Sequence, residues 1–94
     1  MLGRNTMKKA LGLLETRGFT GLAVATDAML KSASVELIKQ IGIGGGYVTT
    51  VIVGDVGSVK AAIEAGTEVA KSVGEFISSH IIPRPHEELD GLFK

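Results

Sequence analysis

Few groups in this 94-residue chain could do chemistry: two histidines, ten carboxylates, ten Lys and Arg side chains, and the glycine-rich run Gly42-Ile43-Gly44-Gly45-Gly46. His80 and His86 stand in one apolar-to-polar stretch with Pro83 and Pro85 between them. A metal centre needs further ligands converging with them, and the spacing supplies none, so no metal site is expected. His80 lies in an apolar segment and reads as a partly buried, hydrogen-bonded imidazole, and His86 as a cap on the last segment. The carboxylates, from Glu15 to Asp90, are dispersed over helices and element ends, where capping or solvation explains each of them. No Ser/His/Asp set is recognisable. The chain is therefore not expected to be an enzyme, and no cofactor is implied.

The glycine run is the remaining candidate. A phosphate-binding P-loop ends in Gly-Lys-Ser/Thr and leads directly into a helix, and a dinucleotide fingerprint likewise opens a helix. Here the β-branched run Tyr47 to Val53 follows, and no lysine stands at the end of the loop. Glycine reaches positive φ without steric penalty, so Gly44, Gly45 and Gly46 suit a tight hairpin tip with bare N–H and C=O groups. Local evidence leaves two readings open: a turn that only reverses the chain, or a turn that presents its backbone groups to something. Lys31 and Arg84 fall at element ends, where a solvated charge is the ordinary reading. Arg84 is held between two prolines, and a stiffly held guanidinium suits docking on carbonyl oxygens or carboxylates of a neighbour.

These groups must be positioned by the elements around them. Residues 1–7 have no periodicity and read as an N-terminal tail. From Lys8, Ala10, Leu11, Leu13 and Leu14 fall within a short run bounded by Arg17-Gly18, which suits a strand apolar on both faces, although periodicity alone does not exclude a buried helical piece. Thr20 is a candidate N-cap for a helix that carries Leu22, Ala25, Ala28, Met29 and Leu30 and ends near Lys31-Ser32, with the small residues of a helix pressed closely onto a sheet. Ser34 to Ile43 places Val35, Leu37, Ile41 and Ile43 on alternate positions of a second strand, and Tyr47 to Val53 forms a third. Asp55 is the clearest helix cap, followed by Val56, Val59, Ile63, Ala70 and Val73 along one helical face, and Gly74 ends that helix. Gly66, unfavourable by about 1 kcal/mol against alanine in a helix, implies a close backbone approach. Phe76 to Ile82 reads as a fourth strand whose pairing stops at Pro83, because Pro83 and Pro85 lack amide donors. The order β-α-β-β-α-β predicts an α+β, ferredoxin-like domain over residues 8–86. Its antiparallel sheet carries both helices on one face. Residues 87–94 are expected to form a short C-terminal helical segment.

Composition narrows the partners. Ten basic and ten acidic residues cancel, no cationic run stands out, and only one tyrosine and three phenylalanines are present, so nucleic acid is not an expected partner. The absence of cysteine excludes disulfides and thiolate chemistry and fits a cytoplasmic setting. No apolar run approaches the roughly 20 residues that cross a bilayer, so no membrane association is expected. Apolar residues make up 45% of a small chain whose mean hydropathy is +0.32. With one sheet face left uncovered by helices, some of that surface is expected to meet another chain.

The segments Ala10 to Gly21 (ALGLLETRGFTG), Ala25 to Ile38, Val48 to Gly66 (VTTVIVGDVGSVKAAIEAG) and Ser79 to His86 (SSHIIPRPH) together resemble the single-domain shell proteins of bacterial microcompartments, the BMC family of carboxysome and metabolosome coats. The resemblance covers about four-fifths of the chain in family order. It implies a cyclic homohexamer with a central pore, tiled edge to edge with other hexamers and shell paralogues, in a cytoplasmic microcompartment shell. By position, Gly44, Gly45 and Gly46 match the pore loop, and Lys31 and Arg84 match the residues that meet the next hexamer. The chain departs from the family's usual approach to the pore. Ile41 stands at a glutamate position, Gly42 at a lysine position, Gly45 at the pore serine, and Val53 at a basic position before the Gly-Asp-Val block. Those departures predict a pore lined mainly by backbone, and with the glycine N–H groups pointing inward it is expected to favour small polar or anionic metabolites. The alternative is a cytosolic ferredoxin-like regulatory module whose Gly42 to Gly46 loop closes on a small effector.

Overall fold

The computed structural model describes residues 9–84, so the expectations for residues 1–7, His86 and the C-terminal segment 87–94 lie outside the described residues. Within them the order is β1 (Lys9–Arg17), α1 (Phe19–Ser32), β2 (Glu36–Gly42), β3 (Tyr47–Asp55), α2 (Val56–Ser72) and β4 (Phe76–Arg84). The four strands form one antiparallel sheet in the order β2-β3-β1-β4, the ferredoxin-like arrangement expected from the sequence. The apolar run in β1 becomes a central strand because it has partners on both edges and side chains buried on both faces.

One face is covered. Ala10, Leu14, Ile52, Ala25, Met29, Val59, Ala62, Ile63 and Ala70 form the core between sheet and helices. Two glycines set how closely its layers approach. A methyl group on Gly12 would lie 2.8 to 2.9 Å from Val59, Ile52 and Ile63, so α2 can rest on β1 only where β1 has no side chain. One on Gly66 would lie 2.7 Å from Met29 Cγ and 3.0 Å from Leu14, which confirms the close approach inferred from the sequence. That contact also corrects the expectation for α1. The helix packs chiefly against α2 rather than flat on the sheet, with Gly21, Ala25 and Met29 as its buried stripe and Leu30 exposed.

Helix ends follow sequence chemistry in one case and long-range packing in the other. Asp55 caps α2, its carboxylate accepting from the Ser58 amide at 2.9 Å and the Ser58 hydroxyl at 3.0 Å. The amide bond, then the hydroxyl bond, hold its carboxyl below the ordinary value. The helix closes in a Schellman motif: Gly74, at φ 75°, donates to the Lys71 carbonyl and Glu75 to the Ala70 carbonyl. Thr20, expected to cap α1, instead lies inside it. The cap position is Gly18 at φ 102°, which has no side chain to accept a bond, and the Glu75 carboxylate accepts from the Gly21 amide in its place. A remote acidic residue does the work of a local cap.

Two strand expectations also change. β2 starts at Glu36 rather than Ser34, and a register shift between Leu37 and Lys39 breaks the alternation. Leu37 pairs with Ile52, whose side chain is on the helix side, whereas Ile41 pairs with Thr49 on the other side, so the apolar residues of β2 divide between faces. β4 continues past Ile82: Pro83 pairs with Ala10 and Arg84 with Lys9. It is an edge strand, and the missing proline donor is tolerated because only one side of such a strand is bonded.

Among the described residues, no helix lies over the other sheet face. Leu11 and Val51 are buried there among the partly buried Leu13, Ile38, Val53 and Ile82. His80, expected to be partly buried, is exposed: it pairs with Leu13 on the face that no described helix covers.

Candidate functional site

The hairpin between β2 and β3 is built by its glycines. Gly44, Gly45 and Gly46 have φ of 92°, 67° and 81°, all in the region that side chains disfavour. Tyr47 donates its amide to the Gly44 carbonyl at 3.1 Å, and with both central residues at positive φ the turn has the type I′ form that matches strand twist. A second bond, from the Ile43 amide to the Tyr47 carbonyl at 3.1 Å, closes the base. The loop is also moored laterally, because the Gly18 amide at the β1–α1 junction donates to the Gly46 carbonyl at 2.8 Å.

This bonding pattern is asymmetric. The Gly44 and Gly46 carbonyls are occupied within the chain, whereas among the described residues the amides of Gly44, Gly45 and Gly46 make no hydrogen bond. All three glycines are exposed, and the Gly45 carbonyl, like the three amides, has no partner among the described residues. Gly44 has nothing within 4 Å of where a side chain would start, and a methyl group on Gly45 would stand 3.3 Å from the Tyr47 ring. That ring therefore braces the turn from below. Arg17 also meets this ring, its guanidinium carbon 5.6 Å from the ring centroid, because Arg17 and Tyr47 are a cross-strand pair of β1 and β3. Tyr47 and Arg17 were not among the expected site residues. The sequence signal for them is the ring directly after the glycines, but only the β1–β3 register shows which cation meets it.

The outer candidates are far from this turn in the chain and in the fold. Lys31 is in the last turn of α1, paired with Asp27 at 3.0 Å in an i,i+4 bridge with side-chain exposures of 77% and 62%. Arg84 closes β4, where its backbone pairs with Lys9. A groove of about 490 Å³ lies between α2 and β4, but the two lysines and two glutamates along it, Lys60, Glu64, Glu68 and Lys71, balance and give it no charge preference. Among the described residues no three His, Asp or Glu side chains gather as a metal site would require. No helix among them is long and apolar enough to cross a membrane.

Comparison with known proteins gives the fold a family. The BMC domain model matches residues 10–85. The chain is 48% identical over 85 residues to the bacterial microcompartment shell protein EutM of Salmonella typhimurium, covering 90% of this chain and 88% of that protein. It is 49% identical over 83 residues to PduA of Citrobacter freundii, also a bacterial microcompartment shell protein, covering 88% and 89%. The carboxysome shell protein CsoS1 of Prochlorococcus marinus is 44% identical over 90 residues, covering 95% and 87%. Among solved structures, a microcompartment protein from Desulfitobacterium hafniense superposes with a TM-score of 0.76 at 37% identity, over 87% of this chain and 47% of that longer one. With the βαββαβ order, the glycine hairpin and these matches in agreement, the chain belongs to the BMC-domain family of bacterial microcompartment shell proteins.

Proposed function

We propose that the protein is a structural tile of a microcompartment shell, forming a cyclic hexamer whose copies of Gly44, Gly45 and Gly46 line a central pore for small polar or anionic metabolites. The tile performs no catalytic step of its own. The observation that carries the reading is the glycine turn: three exposed glycines whose amides are unengaged among the described residues, with two of their carbonyls bonded within the chain. Brought to a common axis, such turns would present N–H groups to a passing solute with no side chain in the way.

Assembly has independent support in the uncovered sheet face. Leu11, Leu13, Ile38, Val51, Val53 and Ile82 form an apolar patch on a domain too small to leave it wet without loss, and Ile41 and Ile43 continue it toward the loop at 41% and 64% exposure. Lys31 and Arg84 lie on elements away from the loop, which fits contacts at the outer edge between hexamers. Native mass measurement tests the reading: a six-fold species is expected. A stable dimer or trimer would instead support a small effector-binding module.

A further inference from the structure

We propose that Glu75 is a positioning residue of the glycine turn: its carboxylate holds the segment from Gly18 to Gly21, and that segment holds the Gly46 carbonyl. The linkage is a property of the fold, and its consequence for a pore rests on the reading given above.

Three hydrogen bonds converge where β1 passes into α1. The Arg17 amide donates to the Glu75 backbone carbonyl at 3.0 Å, the Gly18 amide to the Gly46 carbonyl at 2.8 Å, and the Gly21 amide to the Glu75 carboxylate. The paired register of β1 and β3 ends at Arg17 and Tyr47, so the bond from Gly18 to Gly46 is one further rung beyond it. Among the described residues it is the one backbone bond that ties the turn glycines to anything outside their own hairpin. Glycines lose more freedom on ordering than other residues, so a turn made of three depends on such an anchor.

The anchor is in turn set by Glu75. Gly18 stands at φ 102°, and a methyl group on it would lie 2.6 to 2.9 Å from the Glu75 carboxylate, which fills the space a side chain at position 18 would take. Glu75 itself is placed by the closing motif of α2, where Gly74 donates to the Lys71 carbonyl and Glu75 to the Ala70 carbonyl. It is half-buried, and a carboxylate accepting from an amide makes a stronger bond than a neutral acceptor does. Gly21 is buried, so without the carboxylate its amide would lose a partner and gain no water in exchange. The junction would then open more often, and the last rung to Gly46 with it.

The test is amide hydrogen exchange in the full-chain assembly, followed by NMR, with native mass measured on every sample. The Gly18 amide reports the rung to Gly46 directly. In Glu75→Ala it should exchange on the order of fivefold faster than in the parent, as expected when one bond of cap strength no longer closes the junction. Asp55→Ala removes a cap from the other helix and is the control: it should lower the Tm comparably and leave Gly18 at the parent rate. Glu75→Gln, which keeps an acceptor oxygen, should also stay at the parent rate. If Glu75→Ala does not fold, Glu75→Asp, whose carboxylate is withdrawn by a methylene, carries the same comparison. Unchanged Gly18 exchange on loss of the carboxylate would overturn the proposal, as would equal acceleration in Asp55→Ala or a Glu75→Gln that behaves like alanine. A protein in which Gly18 responds as expected but whose mass is not six-fold would sink the pore reading and leave the linkage standing.

Discussion

Gly66 shows how much one missing methyl group can decide. Alanine is the better helix former by about 1 kcal/mol, yet at this position its Cβ would fall 2.7 Å from Met29 Cγ, and Met29 is fully buried with no free direction in which to swing. The steric penalty of overpacking, roughly 1–3 kcal/mol, outweighs the propensity gain. Gly66→Ala should therefore lower stability by about 1 kcal/mol, read as a lower urea midpoint with an unchanged slope. An unchanged or higher midpoint would mean that α1 and α2 can separate freely. The need for glycine here was legible in the sequence as a close approach; that Met29 is the group that approaches was not, because it lies on another helix. His80 makes the opposite case. Its apolar neighbours point to burial, but burial depends on a layer above the strand, and among the described residues this face has none.

Elements end where their orphan backbone groups find partners. For α2 the partners are local, and the Asp55 cap could be read from the sequence because the acceptor lies three residues from its donor. Since the folded state holds the Asp55 carboxyl below its ordinary value of 3.8, its contribution is fully present above that value and is lost as the pH falls through the lowered, folded-state value. Asp55→Ala should accordingly reduce the Tm at pH 7, and the gap to the parent should close in strong acid; a gap of the same size at both ends of the range would count against the cap. For α1 the partner is Glu75, far along the chain, and proximity in sequence misleads toward Thr20. Glu75→Ala should destabilise the fold by about 1 kcal/mol, the usual worth of a lost N-cap. Glu75→Gln, which keeps an acceptor oxygen, should restore most of that, and Thr20→Ala should have little effect. Thermal melts of the three variants separate the two assignments.

At the scale of the whole molecule, a helix-covered face, an apolar uncovered face and a donor-rich turn divide the surface into parts with different roles. Lys31, in the exposed last turn of α1, contributes little to the single chain, since a solvent-exposed i,i+4 pair with Asp27 contributes roughly 0.3–0.5 kcal/mol. Lys31→Ala should leave both the melting transition and the six-fold mass unchanged while reducing extended sheets seen by electron microscopy at high concentration. Loss of the hexamer in that variant would place Lys31 at an internal interface instead. Arg84→Ala addresses the proposed outer edge from β4 and is expected to act in the same direction.

The sequence by itself determined the element order, the glycine turn, the Asp55 cap and the family, because each depends on spacing within a few residues or on blocks of residues in fixed order. Tertiary structure decided what meets across the chain: Met29 beneath Gly66, Glu75 at the start of α1, the bulge that divides the apolar residues of β2 between faces, and an edge position that lets β4 run through Pro83. The turn itself spans both levels. Its glycines announce positive φ wherever they stand, but which carbonyls are engaged, and that Arg17 meets the Tyr47 ring beside the loop, follows from strand register. Register is a property of two strands together, so neither segment read alone contains it.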